Sequence, residues 1–153
     1  MRKYLLTFII VVGLFFTGFS YCEQVKQGLG KAQLPDSSVY EGEFRDGLFN
    51  GKGTLVWRDG TKYEGEFKGG LINGNGTMSY KSGDKYFGEF RDGLRHGKGI
   101  FIYRDGTKYE GEFKDGLMHG KGLITYKNGT KYEGDFKDGL AEKKKAEDKA
   151  KEQ

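Results

Sequence analysis

The stretch Tyr109-Glu110-Gly111-Glu112-Phe113-Lys114-Asp115-Gly116-Leu117-Met118-His119-Gly120-Lys121-Gly122 decides the fold. Its first part alternates with period two: Tyr109, Gly111 and Phe113 share one face of an extended chain, while Glu110, Glu112 and Lys114 take the other. The continuation Gly122-Leu123-Ile124-Thr125-Tyr126 alternates in the same way, with Gly122, Ile124 and Tyr126 on one face. A glycine-bearing turn at Gly116 separates the two halves, so the unit is a β-hairpin.

Outward from this unit the pattern recurs every 23 residues, because Tyr40, Tyr63, Tyr86, Tyr109 and Tyr132 stand in register. Gly42, Gly65, Gly88, Gly111 and Gly134 follow the tyrosines, and Phe44, Phe67, Phe90, Phe113 and Phe136 follow those glycines. Each unit goes on with a turn glycine such as Gly47 or Gly93, then with the pairs Gly51/Gly53, Gly74/Gly76, Gly97/Gly99 or Gly120/Gly122. Gly60, Gly83, Gly106 and Gly129 close the units. A two-residue turn at Asp105-Gly106 would put Tyr103 and Tyr109 on opposite faces; a three-residue loop keeps them together and places Gly106 in the left-handed conformation of a bulge after a type I turn. The strand glycines lie between aromatic positions of their own face and leave room for rings to lie flat on the backbone. The expected fold is therefore all-β: an elongated single-layer antiparallel meander of about nine strands.

The array begins before its first tyrosine. Gly28, Gly30 and Asp36 lie one period ahead of Gly51, Gly53 and Asp59, with Leu34 for Trp57, Pro35 for Arg58 and Ser37 for Gly60. Residues 23–39 thus form a lead-in with a degenerate half-repeat, in which Pro35 suits an edge strand. Residues 40–140 form the array, expected to close on one unpaired strand. Residues 141–153 are rich in Ala, Lys and Glu, with helix-spaced pairs such as Lys143/Glu147, and read as a short charged helix.

Residues 1–22 have the anatomy of an export signal: basic Arg2 and Lys3, an apolar run from Leu5 to Phe16, then small or polar Thr17, Gly18 and Ser20. The run is shorter than the ~18 residues of a spanning helix, which favours a cleaved signal over a short anchor. Cys22 sits where a bacterial lipoprotein carries its lipid, although Tyr21 stands where that signal wants a small residue. Either outcome places the chain in the periplasm, at the cell envelope or outside the cell.

Composition narrows the function. Of 153 residues 27 are Gly and one is Pro, while 12 Phe and 10 Tyr exclude both a collagen-like chain and a disordered linker. Without Arg2 and Lys3 the basic count falls from 26 to 24 against 22 acids, about +2, with the two signs interleaved. That is no footprint of a nucleic-acid binder. One cysteine excludes a disulfide framework.

The units resemble MORN repeats (membrane occupation and recognition nexus), whose pattern is Tyr-x-Gly-x-Phe, a glycine-bearing turn, Gly-x-Gly and a closing Gly; the resemblance covers Gly28 to Leu140. It implies a non-enzymatic scaffold or dimerisation arm with an aromatic-lined groove. In this chain that groove would be lined by Tyr40, Phe44, Trp57, Tyr63, Phe67, Tyr80, Tyr86, Phe90, Phe101, Tyr103, Tyr109, Phe113, Tyr126, Tyr132 and Phe136. Phe87 departs from the glutamate of the other units (Glu41, Glu64, Glu110, Glu133) and, with Ile100, Ile102 and Leu123, forms an apolar patch on the charged face.

Other chemistry is not marked out. His96 and His119 hold equivalent places about 10 Å apart, too far to share a metal, and Asn50 and Asn73 in the same place point to a turn or loop role. The glutamate rows, including Glu43, Glu66, Glu89 and Glu112, read as surface ion pairs on a solvated face, with no two acids singled out for catalysis. No cofactor is expected. The leading expectation is an exported scaffold binding a protein partner, with a homodimer through the terminal repeats as one assembly. The alternative is anionic phospholipid, bound by the row Lys62, Lys85, Lys108 and Lys131 beside exposed rings.

Overall fold

The computed structural model describes residues 26–142. The segment read as an export signal, Cys22, and the tail from Lys143 onward lie outside the described residues. Eleven strands follow in chain order: β1 (Gln27–Gln33), β2 (Val39–Arg45), β3 (Leu48–Val56), β4 (Lys62–Lys68), β5 (Leu71–Ser79), β6 (Lys85–Arg91), β7 (Leu94–Ile102), β8 (Lys108–Lys114), β9 (Leu117–Thr125), β10 (Lys131–Lys137) and β11 (Leu140–Ala141). Each pairs antiparallel with its neighbours in sequence, giving one open meander from β1 to β11.

Two kinds of connection alternate. At one edge Gly106 N donates to Tyr103 O at 2.9 Å and Tyr103 N to Thr107 O at 2.8 Å, the three-residue loop with Gly106 at φ +92°. Tyr103 and Tyr109 therefore stay on one face. At the other edge Lys114 pairs with Leu117 around Asp115 and Gly116, whose φ angles of 49° and 87° make a type I′ turn. This turn suits the right-handed twist of the flanking strands, and Asp-Gly is its preferred pair.

Both ends differ from expectation. Pro35 is not in a strand: it follows Leu34 in the loop after β1, whose Ser37 N donates to Leu34 O at 2.9 Å, and there a fixed φ near −65° suits the first turn position. Ser37 itself takes the left-handed conformation, φ 71°, that glycine takes in the later loops. At the far end β10 is not left bare, because Phe136 and Lys137 pair with Ala141 and Leu140. Ala141 thus belongs to a strand and not to a helical tail, and the sheet has eleven strands, not nine. The pattern breaks at Lys143, one period after Gly120, which holds φ +58° at the equivalent point.

The register lines up ten glycines directly across the sheet, Gly30, Gly42, Gly53, Gly65, Gly76, Gly88, Gly99, Gly111, Gly122 and Gly134. On their side of the sheet lies the core. A Cβ on Gly53 would fall 2.5 to 2.7 Å from the Tyr40 ring and hydroxyl, so the ring occupies the space that a side chain there would need. Each of these tyrosines meets the phenylalanine of its own strand and that of the strand two further on. Tyr63 touches Phe67 and Phe90 edge-to-face at 5.2 and 5.1 Å, and Tyr109 touches Phe113 and Phe136 at 5.1 and 5.0 Å. A zipper of rings on one face is the hydrophobic core of a sheet that has no second layer among the described residues.

Candidate functional site

The expected aromatic groove is largely filled by its own rings. Tyr40, Tyr63, Tyr86 and Tyr109 are fully buried, and Phe44, Phe67, Phe90, Phe101, Phe113 and Phe136 are buried with them. Ten of the fifteen candidate rings are thus core. Trp57, Tyr80 and Tyr132 are half-buried against that core, and Tyr103 and Tyr126 are exposed at 37% and 45%.

The tyrosine hydroxyls are held too. Those of Tyr40, Tyr63, Tyr86 and Tyr109 donate to the carbonyls of Glu43, Glu66, Glu89 and Glu112 at 2.8 to 3.0 Å. Burial pushes the phenols of Tyr40, Tyr63 and Tyr109 up to about 12, and raises that of Tyr86 as well.

The second strand of each hairpin bulges beside these carbonyls. Between the pairs Gly42/Gly53 and Phe44/Phe49, residues Asn50, Gly51 and Lys52 face the single residue Glu43, with Gly51 at φ +66°. The Glu43 carboxylate accepts the N–H of Lys52 at 2.9 Å, and Glu89 accepts that of Lys98 at 2.9 Å. These acids hold a bulge, which corrects the view of this glutamate row as surface ion pairs. The other row does form them: Lys62 pairs with Glu64 at 3.0 Å and Lys108 pairs with Glu110.

His96 and His119 lie in strands at the bulge and not in a turn or loop. Their column reaches the next type I′ turn: Gln27 Nε2 donates to Asp46 at 3.2 Å, Asn73 Nδ2 to Asp92 at 3.4 Å, and His96 Nδ1 lies 3.8 Å from Asp115. No group of three potential metal ligands gathers among the described residues.

Open space lies on the charged face instead. A trough of about 980 Å³ crosses β1 to β5, floored by Gly30, Gly42, Gly53 and Gly65 and walled by Lys31, Glu41, Lys52, Thr54 and Glu66. A second, of about 560 Å³, is floored by Gly88, Gly99 and Gly111 and walled by Phe87, Lys98, Ile100, Glu110, Glu112 and Lys121. Phe87 stands directly opposite Ile100. Ile102 follows on the same face, two residues along β7 and opposite Lys85, whereas Leu123 is separated from Ile100 by Glu110. The patch is therefore Phe87, Ile100 and Ile102. The lysine row is in register but every second strand interrupts it, with Ser79, Ile102 and Thr125 between Lys62, Lys85, Lys108 and Lys131.

One residue of the aromatic face escaped the sequence reading. Arg95 occupies the column of Phe49, Ile72 and Met118, and comparing the units at that column is the signal that would have found it.

No curated protein matches the chain. Among solved structures, the TCP domain of SAS-4 from Drosophila melanogaster, determined with a proline-rich motif of Ana2, is similar with a TM-score of 0.37 and 12% identity over 69% of this chain and 70% of that one. A likeness that slight carries no argument. The MORN repeat family model matches residues 40–62, 63–85, 86–108, 109–131 and 132–142, each match opening on the tyrosine that starts a unit of the ring zipper, and the chain belongs to the MORN-repeat family.

Proposed function

We propose that this MORN-repeat scaffold is exported and holds a protein partner at the cell envelope or outside the cell. The observation that carries the reading is Phe87. In place of the glutamate of the other units it is 38% exposed over an open trough, with Ile100 across from it and mixed charges around the rim. An apolar centre inside a polar rim is the make-up of a protein-binding surface. Export rests on the signal-like residues 1–22, and Cys22 is the point where a lipid would anchor the chain.

A photo-crosslinker at Thr77, which pairs with Phe87 across the strand, should capture the partner in cells, and Phe87→Glu should abolish capture without changing the thermal midpoint. If that variant keeps every partner and every oligomer of the parent, the patch is not the binding surface. Cell fractionation tests export, and sedimentation of the purified chain tests the homodimer.

Binding of anionic phospholipid is the second reading, favoured by Lys85, which has no ion pair among the described residues and faces Ile102 beside Phe87. Lys62 and Lys108 are already paired with glutamates, which weakens the row. Flotation of residues 23–153 with anionic vesicles at physiological salt distinguishes the two: co-flotation that Lys85→Glu abolishes would put lipid first.

A further inference from the structure

Among the described strands, the aromatic face carries one charged side chain. Arg95 points there because it pairs with the buried Phe90, in a column that the other units fill with Phe49, Ile72 and Met118. Its guanidinium carbon lies 4.9 Å from the centre of the Phe101 ring, 5.6 Å from Phe113 and 5.9 Å from Tyr86. Nη2 donates to Gly116 O at 2.5 Å. Among the described residues no carboxylate pairs with Arg95.

Packing does not require this charge. A half-buried guanidinium loses hydration, and ring faces and one carbonyl offset that loss only in part. An apolar side chain at the same point has no such cost, and three other units use one.

What surrounds the guanidinium suits an anion. Tyr103 lies 4.7 Å from Phe101 and Tyr80 lies 5.9 Å from it, ring centre to ring centre. Burial raises both phenols, the positive charge of Arg95 works against that rise and the negative charge of Asp84 adds to it, so both phenols feel the fields of these two groups. All three groups are hydrogen-bond donors at neutral pH.

We propose that Arg95, with the hydroxyls of Tyr80 and Tyr103, is an anion-binding centre that takes the carboxylate of an Asp or Glu side chain on a protein partner. The planar fork of the guanidinium matches a planar carboxylate. The apolar rings beside it favour an acid carried among apolar groups over a fully hydrated anion. The inference rests on the protein-partner reading but uses the opposite face of the sheet from Phe87, so Phe87→Glu and Arg95→Met fail independently.

The test is an NMR titration of the full chain with two probes, the acetylated and amidated peptides Phe-Glu-Phe and Phe-Gln-Phe. The glutamate peptide should bind about tenfold more tightly or better, the discrimination of one charge-assisted hydrogen bond, and should shift the Arg95 Nε–H and the Tyr80 and Tyr103 ring signals. Arg95→Met should erase the preference, Arg95→Lys should leave part of it, and the melting midpoint of Arg95→Met should equal or exceed that of the parent. Equal affinity for the two peptides, no binding of either, or a preference that survives in Arg95→Met overturns the proposal. So does a large drop in the melting midpoint of Arg95→Met, which would make the charge structural.

Discussion

On the aromatic face the glycine row is roofed by tyrosine rings, whereas on the charged face the same row floors open troughs. Both states follow from a missing side chain, but they constrain the sequence differently. Under the rings each position is set by contact, so a tyrosine, a phenylalanine and two glycines recur unit after unit. Over the troughs little touches the outward residues, and a glutamate can become Phe87 while the fold persists. Variation suited to binding is expected on the second face. Arg95 is therefore the more unusual departure, since it breaks the column pattern on the face that carries the core.

The strongest way to break this comparison is to put a methyl group under a ring. Gly53→Ala places a Cβ 2.5 to 2.7 Å from the Tyr40 ring and hydroxyl and should lose about 3 kcal/mol in chemical denaturation. Gly106→Ala, with open space but φ +92°, should lose only about 1 kcal/mol. Equal losses would mean that roofing is not what excludes side chains from the row.

Alkaline titration probes all the roofs together. Tyr40, Tyr63 and Tyr109 are held up to about 12 by burial, while an unfolded tyrosine ionises near ~10. Between those values the unfolded chain binds fewer protons than the native one, so stability is intact below pH ~10 and falls as pH rises towards 12. Phenolate absorbance from these tyrosines should appear together with loss of the β-sheet circular dichroism. Ionisation that leaves the sheet intact would show the rings to be accessible.

A smaller effect separates the ring from its hydroxyl. Tyr63→Phe keeps the roof and removes the bond to Glu66 O at 3.0 Å, and should lose about 1 kcal/mol by leaving a carbonyl unpaired. The smallest belongs to the charged face. Glu89→Ala removes the acceptor for Lys98 N–H, and because that carboxylate is exposed the loss should be about 0.5 kcal/mol. A loss larger than that of Tyr63→Phe would mean that the bulge, and not the ring, holds the hairpin.

Much of this was legible in the residues. The spacing of Tyr103, Gly106 and Tyr109 required a three-residue loop, and the loop is there with its glycine left-handed. The ring-over-glycine packing was also foreseen, since glycine between aromatic positions has few other uses. The glutamates of the bulge were misread because Glu43 and Glu41 look alike as exposed acids in one strand. Only the extra residues facing Glu43 across the hairpin bring a free N–H to its carboxylate. Pro35 was misplaced for a related reason: a proline suits an edge strand and a turn equally, and the end of β1 decides which it meets.

The sequence by itself determined the period, the alternation of faces, the length of the three-residue loops and the positions that demand glycine, because these depend on backbone sterics within a few residues. Tertiary structure decided which face stayed open, which acids serve the backbone, and that Arg95 sits among rings with no ion-paired carboxylate among the described residues. Those facts depend on cross-strand register and on how far each ring fills the space above its glycines. Neither can be read along a single strand.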